Sequence, residues 1–209
     1  ILLMSQYNIK EETVKKLGSR GKGILAADER VNTMGKRLKT IGLDNNLENR
    51  TEWRRIISET NGLEEYVSGI ILCEETLRTN VSNRLLINNF LEKDIVVGIK
   101  VDLGLSDLSG TKGEKITRGL DDLGLRCQEF YNLGARFSKW RVVFSISDST
   151  PSEVCIEHNL NSLARYASIS QEYGLVPIVE PEILMDGDHE LLKSDEVTRE
   201  IISRLYSKL

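Results

Sequence analysis

Proline is scarce in this chain, three residues in 209, and no stretch is of low complexity, which excludes collagen-like, mucin-like and wholly disordered proteins. Cationic excess is missing as well. Lys and Arg number 28 against 32 Asp and Glu, a net charge of −4, with no basic stripe of the kind that neutralises phosphates along a nucleic acid. No nucleic-acid partner is expected. Nothing approaches the 18 or so consecutive apolar residues that span a bilayer, and the opening ILLM is too short for the apolar core of a signal peptide. No membrane partner is therefore expected, and a cytoplasmic location is. Cys73, Cys127 and Cys155 are far apart, odd in number and without a CxxC pair, the pattern of reduced, buried thiols rather than of a disulfide frame or zinc site. The single glycosylation-type triplet, Asn80-Val81-Ser82, is then a chance match. Histidine is limited to His158, read as a surface or packing residue of a helix, and His189 in Asp186-Gly187-Asp188-His189-Glu190. That stretch has neither an HExxH pattern nor the spaced oxygens of an EF-hand, so no metal is expected.

What the chain does have is a rhythm. Short β-branched runs at Ile24–Asp28, Val67–Glu74, Ile95–Asp102, Phe137–Ile146 and Leu175–Glu182 alternate with helical patterns. GIIL, IVVGIKV and LVPIV are apolar on successive residues, as in parallel strands covered on both faces. Thr150-Pro151-Ser152-Glu153 reads as a capping box with Pro at the first helical position, opening a helix that turns Val154, Leu163, Tyr166 and Ile169 inward. Ser194 is placed to cap a last helix with Val197, Ile201, Ile202 and Leu205 at helical spacing. Weaker helical patterns cover Leu47–Thr60, which brings Trp53 into the core, and Gly119–Asn132. Lys112, Lys115 and Arg118 read as a solvated face. Five βα units without a linker or composition break predict one domain over residues 1–209, either a doubly wound sheet or part of a (β/α)8 barrel. No GxGxxG follows the first strand and no GxxxxGK[ST] occurs, which removes the usual nucleotide-binding versions of the open sheet.

The strands end in charge: Asp28-Glu29, Glu74-Glu75, Lys100 and Asp102, Lys139 and Arg141, Glu180 and Glu182. Residues two apart on a strand share a face, so the last three strands each present a like-facing charged pair. Trp140, between Lys139 and Arg141, points the other way and packs between sheet and helix. In a barrel the charged ends converge, and mixed ammonium and carboxylate groups gathered there supply an acid, a base and an electrostatic clamp.

GKGILAADE (Gly21–Glu29), GIKVD (Gly98–Asp102), GARFSKWR (Gly134–Arg141), LARYA (Leu163–Ala167) and VPIVEPEI with DGDHE (Val176–Glu190) together resemble class I fructose-bisphosphate aldolase, the Schiff-base enzyme of glycolysis. The similarity is collinear from about Lys15 onward. It implies an α/β fold, a (β/α)8 TIM barrel of the class I aldolase type of which about the first five βα units are present. It also implies a lyase that reversibly splits fructose 1,6-bisphosphate into dihydroxyacetone phosphate and glyceraldehyde 3-phosphate without a cofactor or metal, commonly as a homotetramer. By resemblance Asp28 assists proton transfer during C3–C4 cleavage, Glu180 handles protons around the Schiff base and Lys139 stabilises developing charge. Lys100, Arg141, Thr33, Lys36 and Arg37 hold the sugar phosphate, with Asp102 and Glu182 balancing the charged network. A carbon–carbon bond breaks only if its electrons have a sink, so cleavage also needs an amine that forms a Schiff base.

Several positions depart from the family pattern. ADE continues as Arg30-Val31-Asn32-Thr33, so Arg30 stands where a small residue is usual and Thr33 becomes the hydroxyl donor; VDLG places Leu103 where a lysine is common. The family's Schiff-base lysine lies in an LLKPN context on the sixth strand. Leu191-Leu192-Lys193-Ser194 resembles it only superficially, since it follows DGDHE and matches the loop after the fifth strand. The 209 residues alone are accordingly expected to lack aldolase activity and to self-associate through exposed strand edges. The rival expectation is a non-catalytic aldolase-like protein that binds sugar phosphates or acts as a scaffold. A plastid location and the choice of fructose phosphate remain open at this point.

Overall fold

In a computed structural model the backbone of residues 2–209 and the side chains of residues 8–209 are described, so the side chains of the opening ILLM fall outside it. The elements in chain order are α1 (Leu2–Leu17), β1 (Gly23–Ala27), α2 (Val31–Thr40), α3 (Leu47–Glu59), α4 (Leu63–Tyr66), β2 (Val67–Leu72), α5 (Glu74–Arg78), β3 (Asn80–Val81), β4 (Arg84–Leu85) and α6 (Asn88–Glu92). They continue as β5 (Val96–Lys100), β6 (Leu105–Asp107), β7 (Lys115–Thr117), α7 (Leu123–Asn132), β8 (Phe137–Phe144), α8 (Glu153–Glu172), β9 (Val176–Ile183) and α9 (Leu191–Tyr206). Hydrogen bonds order the five longer strands β1-β2-β5-β8-β9. Each of the five coincides with an expected strand to within a few residues. Among the described residues no helix is long and apolar enough to cross a membrane.

Two compact units make up the chain. The first comprises Ile1–Lys100, Cys127–Ser138 and Gly174–Val176. β1 pairs with β2, and β2 with β5, in parallel register. The Arg136 N–H donates to the Val97 carbonyl (2.8 Å) and the Val176 N–H to the Arg136 carbonyl (3.0 Å), carrying the pairing into the starts of β8 and β9. Ile70, Leu72, Leu77, Phe90, Val97, Ile99, Phe130 and Phe137 form the core. The Phe137 ring lies over Gly69 of β2 and Gly98 of β5, where a Cβ would come within 3.3 Å and 2.3 Å of it. The glycines are therefore the space the ring occupies, which explains why the apolar runs contain them at all.

The second unit comprises Val101–Arg126, Lys139–Tyr173 and Pro177–Leu209. Here the Val101 N–H donates to the Lys139 carbonyl (3.1 Å) and the Leu184 N–H to the Phe144 carbonyl (2.9 Å). Trp140 is fully buried and stacks on Tyr166 of α8 with ring centroids 5.4 Å apart, on the side of β8 away from Lys139 and Arg141, as the alternation predicts.

Several local expectations are corrected. α8 is capped by Ser152, whose Oγ accepts from the Cys155 N–H (3.2 Å), and begins at Glu153. Pro151 therefore precedes the cap instead of opening the helix, and Val154, on the first turn, is exposed. The reciprocal arm of a capping box comes from a distant carboxylate: buried Glu114, just before β7, accepts from the Ser152 N–H (2.7 Å) and hydroxyl. α9 is capped at Glu190, four residues before the expected cap, which makes Ser194 an interior residue and leaves Ile202 partly exposed. On α3 the buried residues are Arg54 and Ser58, with Trp53 only half-buried. The apolar run LVPIV is not buried throughout: Leu175 is, but all eight residues of β9 are half-buried, and among the described residues β9 ends the strand order.

The last helix is clasped to α8 by charge. Arg204 donates to Glu153 and Glu157 of α8 and to Glu200 one turn back, while Lys208 donates to Glu157 (2.9 Å). The Arg204 hydrogen bonds hold the carboxyls of Glu153 and Glu157 below the usual range. A depressed folded-state value stabilises the fold above the unfolded carboxylate pKa, near 4.3, and that contribution disappears as pH falls through the folded value. Urea midpoints of the wild type and Arg204→Met should therefore differ at pH 7 and converge below about pH 4; a gap that persists in acid would show that Arg204 acts by packing alone.

Candidate active site

The charged strand ends are positioned in both units. In the first, Asp28 follows β1 and Lys100 ends β5; the Lys100 Nζ lies 3.9 Å from an Asp28 carboxylate oxygen, with both side chains largely buried. In the second, Lys139 on β8 pairs with Glu180 on β9 at 2.9 Å, the lysine side chain 12% exposed and the glutamate 32%. Two residues further along the same strands, the Arg141 guanidinium pairs with the Glu182 carboxylate. The i, i+2 spacing in the sequence is thus realised as two consecutive cross-strand ion pairs on one face of β8 and β9. Asp102, 4% exposed, accepts from the Gly104 N–H (3.1 Å). The hydrogen bond that Arg141 donates to Glu182 raises the pKa of Arg141, as do the charges of Glu182, Glu180 and Asp102, while burial works against them. Arg141, Asp102, Glu180 and Glu182 therefore form a single electrostatic group, with Lys139 paired into it.

Thr33, Lys36 and Arg37 lie on α2 and are exposed. Thr33 and Lys36 extend from the helix surface, whereas Arg37 is paired with Glu29. Arg30 supplies the N-cap backbone of α2 without a side-chain capping bond. Leu103 is half exposed and its N–H donates to the Arg118 carbonyl (2.8 Å).

Lys193 is in the first turn of α9 and not in a loop; it is half exposed and paired with Glu196 at 3.0 Å. Glu74 opens α5 and pairs with Arg78, and Glu75 is held bidentately by Arg50, both bonds 2.8 Å. Neither glutamate is tied to the Lys139 or Lys100 groups by these bonds. His158 is exposed, and among the described residues no group of three or more His, Cys, Asp or Glu could hold a metal ion. The three cysteines are free and buried, and burial pushes the Cys155 thiol up to about 12.

Two features had no counterpart in the sequence expectations. One is Arg54, 4% exposed, which lies 3.2 Å from the Glu29 carboxylate and donates to the Glu29 carbonyl (2.8 Å) and the Thr76 hydroxyl (3.1 Å). The other is the antiparallel hairpin β6–β7. Its β7 residue Thr117 donates to the Arg141 carbonyl (2.7 Å), and the Lys115 carbonyl accepts from Asn159 of α8 (2.9 Å). Lys115 pairs with Asp107 across the hairpin and Arg118 donates to the Leu103 carbonyl, so the expected solvated face is in part a strand. The intervening Ser109-Gly110-Thr111-Lys112-Gly113 was the available signal, since a glycine-rich turn between short runs marks a hairpin.

Comparison with known proteins points to one family. A family model described as fructose-bisphosphate aldolase class-I matches residues 10–209. A fructose-bisphosphate aldolase of Schistosoma mansoni is 49% identical over 210 residues, covering 100% of this chain and 58% of its own length. One from Dictyostelium discoideum is 49% identical over 94% of this chain and 56% of its own length. The cytosolic fructose-bisphosphate aldolase 5 of Arabidopsis thaliana is 47% identical over 95% of this chain. The chain thus spans somewhat more than half the length of these relatives. Among solved structures, fructose-bisphosphate aldolase from Plasmodium falciparum, crystallised with TRAP and a small-molecule inhibitor, superimposes with a TM-score of 0.95 at 44% identity, covering 98% of this chain and 60% of that one. The five parallel βα units are therefore those of an aldolase-type (β/α) barrel, and the chain belongs to the class I fructose-bisphosphate aldolase family.

Proposed function

We propose that this chain carries acid–base and substrate-holding residues for the reversible aldol cleavage of fructose 1,6-bisphosphate to dihydroxyacetone phosphate and glyceraldehyde 3-phosphate. The observation that supports it most is the Lys139–Glu180 pair beside Arg141–Glu182, on adjacent strands of a chain in this family. In this reading Asp28, next to Lys100, takes the proton of the C4 hydroxyl as the C3–C4 bond breaks. Glu180 moves protons at the carbonyl carbon's substituents, and the Lys139 ammonium offsets the negative charge that develops there. Arg141, Lys100, Thr33, Lys36 and Arg37 hold the phosphates, and Asp102 with Glu182 keep the cations from repelling one another. The protein works in the cytoplasm, as the Arabidopsis relatives' names state for them, and assembles with copies of itself.

Cleavage requires an electron sink, supplied by an amine that condenses with the ketone and leaves a cationic imine. An ammonium engaged with a carboxylate has no free lone pair for that attack, which argues against Lys139, paired with Glu180, and Lys100, beside Asp28. Lys193 is half exposed and paired with Glu196, without the dry pocket that activates a lysine. The Schiff-base amine is therefore not among these three.

Incubation of the 209-residue chain with dihydroxyacetone phosphate and borohydride should leave its intact mass unchanged. Residues 1–209 continued by the remaining segment of the Schistosoma mansoni relative should cleave fructose 1,6-bisphosphate and gain one reduced adduct. A folded chimera without cleavage would overturn the function; an adduct on Lys100, Lys139 or Lys193 would overturn the exclusion of that amine.

A further inference from the structure

Glu29 is one carboxylate facing two guanidiniums, and the two are held very differently. Its Oε2 lies 3.2 Å from Nη1 of Arg54, whose side chain is 5% exposed. Arg54 is fixed independently, by the Glu29 carbonyl (2.8 Å), the Thr76 hydroxyl (3.1 Å) and the Met34 sulfur (3.5 Å). Glu29 Oε1 accepts from Nη1 of Arg37, whose side chain is 57% exposed on the surface of α2. Glu29 itself is 9% exposed. A carboxylate that dry needs a permanent counter-charge, and removing its sole partner would be heavily penalised. Arg54 supplies that counter-charge from inside the unit, so Arg37 can leave without stranding a buried anion.

We propose that Glu29 is an exchangeable counter-ion for Arg37: it holds the Arg37 guanidinium when no anion is bound, and a phosphate group engages Arg37 by displacing Glu29. This rests on the reading that Arg37 meets the phosphate of a sugar-phosphate substrate. Arg54 is the positioning residue of the device, keeping Glu29 neutralised and in place in both states. The chemistry selects a dianionic phosphate, which can accept two parallel N–H bonds from the guanidinium and so outcompete a carboxylate that already shares its charge with Arg54. Glu29 follows Asp28 directly, so the exchange takes place beside the carboxylate assigned to proton transfer. The cost of the exchange lowers affinity for any weaker anion.

The test is titration of the 209-residue chain with inorganic phosphate, followed by calorimetry. Glu29→Gln keeps the side-chain volume and an oxygen that still accepts from Arg54, but releases Arg37. It should tighten phosphate binding about three- to fivefold, the scale of a half-exposed ion pair. Arg37→Met should weaken binding, and Glu29→Gln added to Arg37→Met should give no gain. Equal tightening in both backgrounds would mean that Glu29 acts as a general negative charge and would overturn the exchange, as would Glu29→Gln binding no tighter than wild type. Arg37→Met binding like wild type, or no saturable binding by wild type, would overturn the underlying assignment of Arg37. If Glu29→Gln does not fold, arginine Nε NMR of the wild type decides: phosphate should shift the Arg37 signal and leave that of Arg54 in place. Phosphate binding with Arg37 unmoved would overturn the proposal.

Discussion

Replacing Gly98 with valine is expected to lower the unfolding free energy by about 3 kcal/mol or more, the upper end of the cost of overpacking a filled core. Gly98 is in β5, and a Cβ there would lie 2.3 Å from two ring carbons of Phe137 and 2.5 Å from a third. The ring cannot retreat easily. Phe137 is fully buried, and two of the same ring carbons, Cε1 and Cζ, are already in contact distance of a Cβ position at Gly69. Nor can the backbone yield, because β5 is paired with β2 through Gly69–Val96 to Leu72–Ile99 and the Arg136 N–H is bonded to the Val97 carbonyl. Since domains are stable by only about 5–15 kcal/mol, a loss of that size moves a urea midpoint well outside error. Phe137→Ala alone should cost about 3–5 kcal/mol through the cavity it leaves. Combined with Gly98→Val it should cost less than the sum, because the new isopropyl group enters the space the ring vacated. An unchanged midpoint for Gly98→Val, or strict additivity of the pair, would refute the glycine–ring account.

The same glycines mark how far the fold was legible. Five apolar runs separated by helical patterns sufficed for the strands because burial on both faces leaves a continuous hydrophobic signature. β2 and β5 obey it; β9 carries the same signature in LVPIV while standing half-buried at the end of the order, since the composition of a strand does not state how many neighbours it has. Helix starts were less legible. Thr150-Pro151-Ser152-Glu153 has the composition of a capping box, yet the cap is Ser152 and its carboxylate partner is Glu114, 38 residues earlier in the chain, so a local motif was completed by a tertiary contact. The charged pairs of the candidate site were readable because strand period places Lys139 with Arg141 and Glu180 with Glu182 on shared faces, and the cross-strand pairing then follows from adjacency. Arg54 was not readable. Its helix presents Arg54 and Ser58 to the interior and leaves Ile56 55% exposed, which inverts the usual apolar stripe. The inversion has a purpose in the geometry: the interior at that point is polar, made of Glu29 and Thr76.

Lys139→Met, placed in the chimera of residues 1–209 with the remaining segment of the Schistosoma mansoni relative, is expected to lower kcat for fructose 1,6-bisphosphate cleavage by about 10²–10³-fold, the usual loss when one preorganised electrostatic contact to developing charge is removed. The argument is differential. Lys139 is 12% exposed and its ammonium is already oriented by Glu180 at 2.9 Å, so it has little reorganising left to do when negative charge appears nearby. Methionine preserves most of the length and removes only the charge, leaving Glu180 without its cation on β9. Loss of a contact made in the transition state lowers kcat and kcat/KM together, whereas Lys100→Met or Arg141→Met, removing groups assigned to hold phosphate, should raise KM more than they lower kcat. Lys139→Arg should recover part of the rate, because it restores the charge but spreads it over a plane that Glu180 does not orient in the same way. Glu180→Gln gives an independent check: it leaves the ammonium of Lys139 but removes the proton acceptor, so kcat should fall as well. Lys139→Met and Glu180→Gln both within tenfold of the parent kcat would reduce the Lys139–Glu180 pair to a structural brace between β8 and β9.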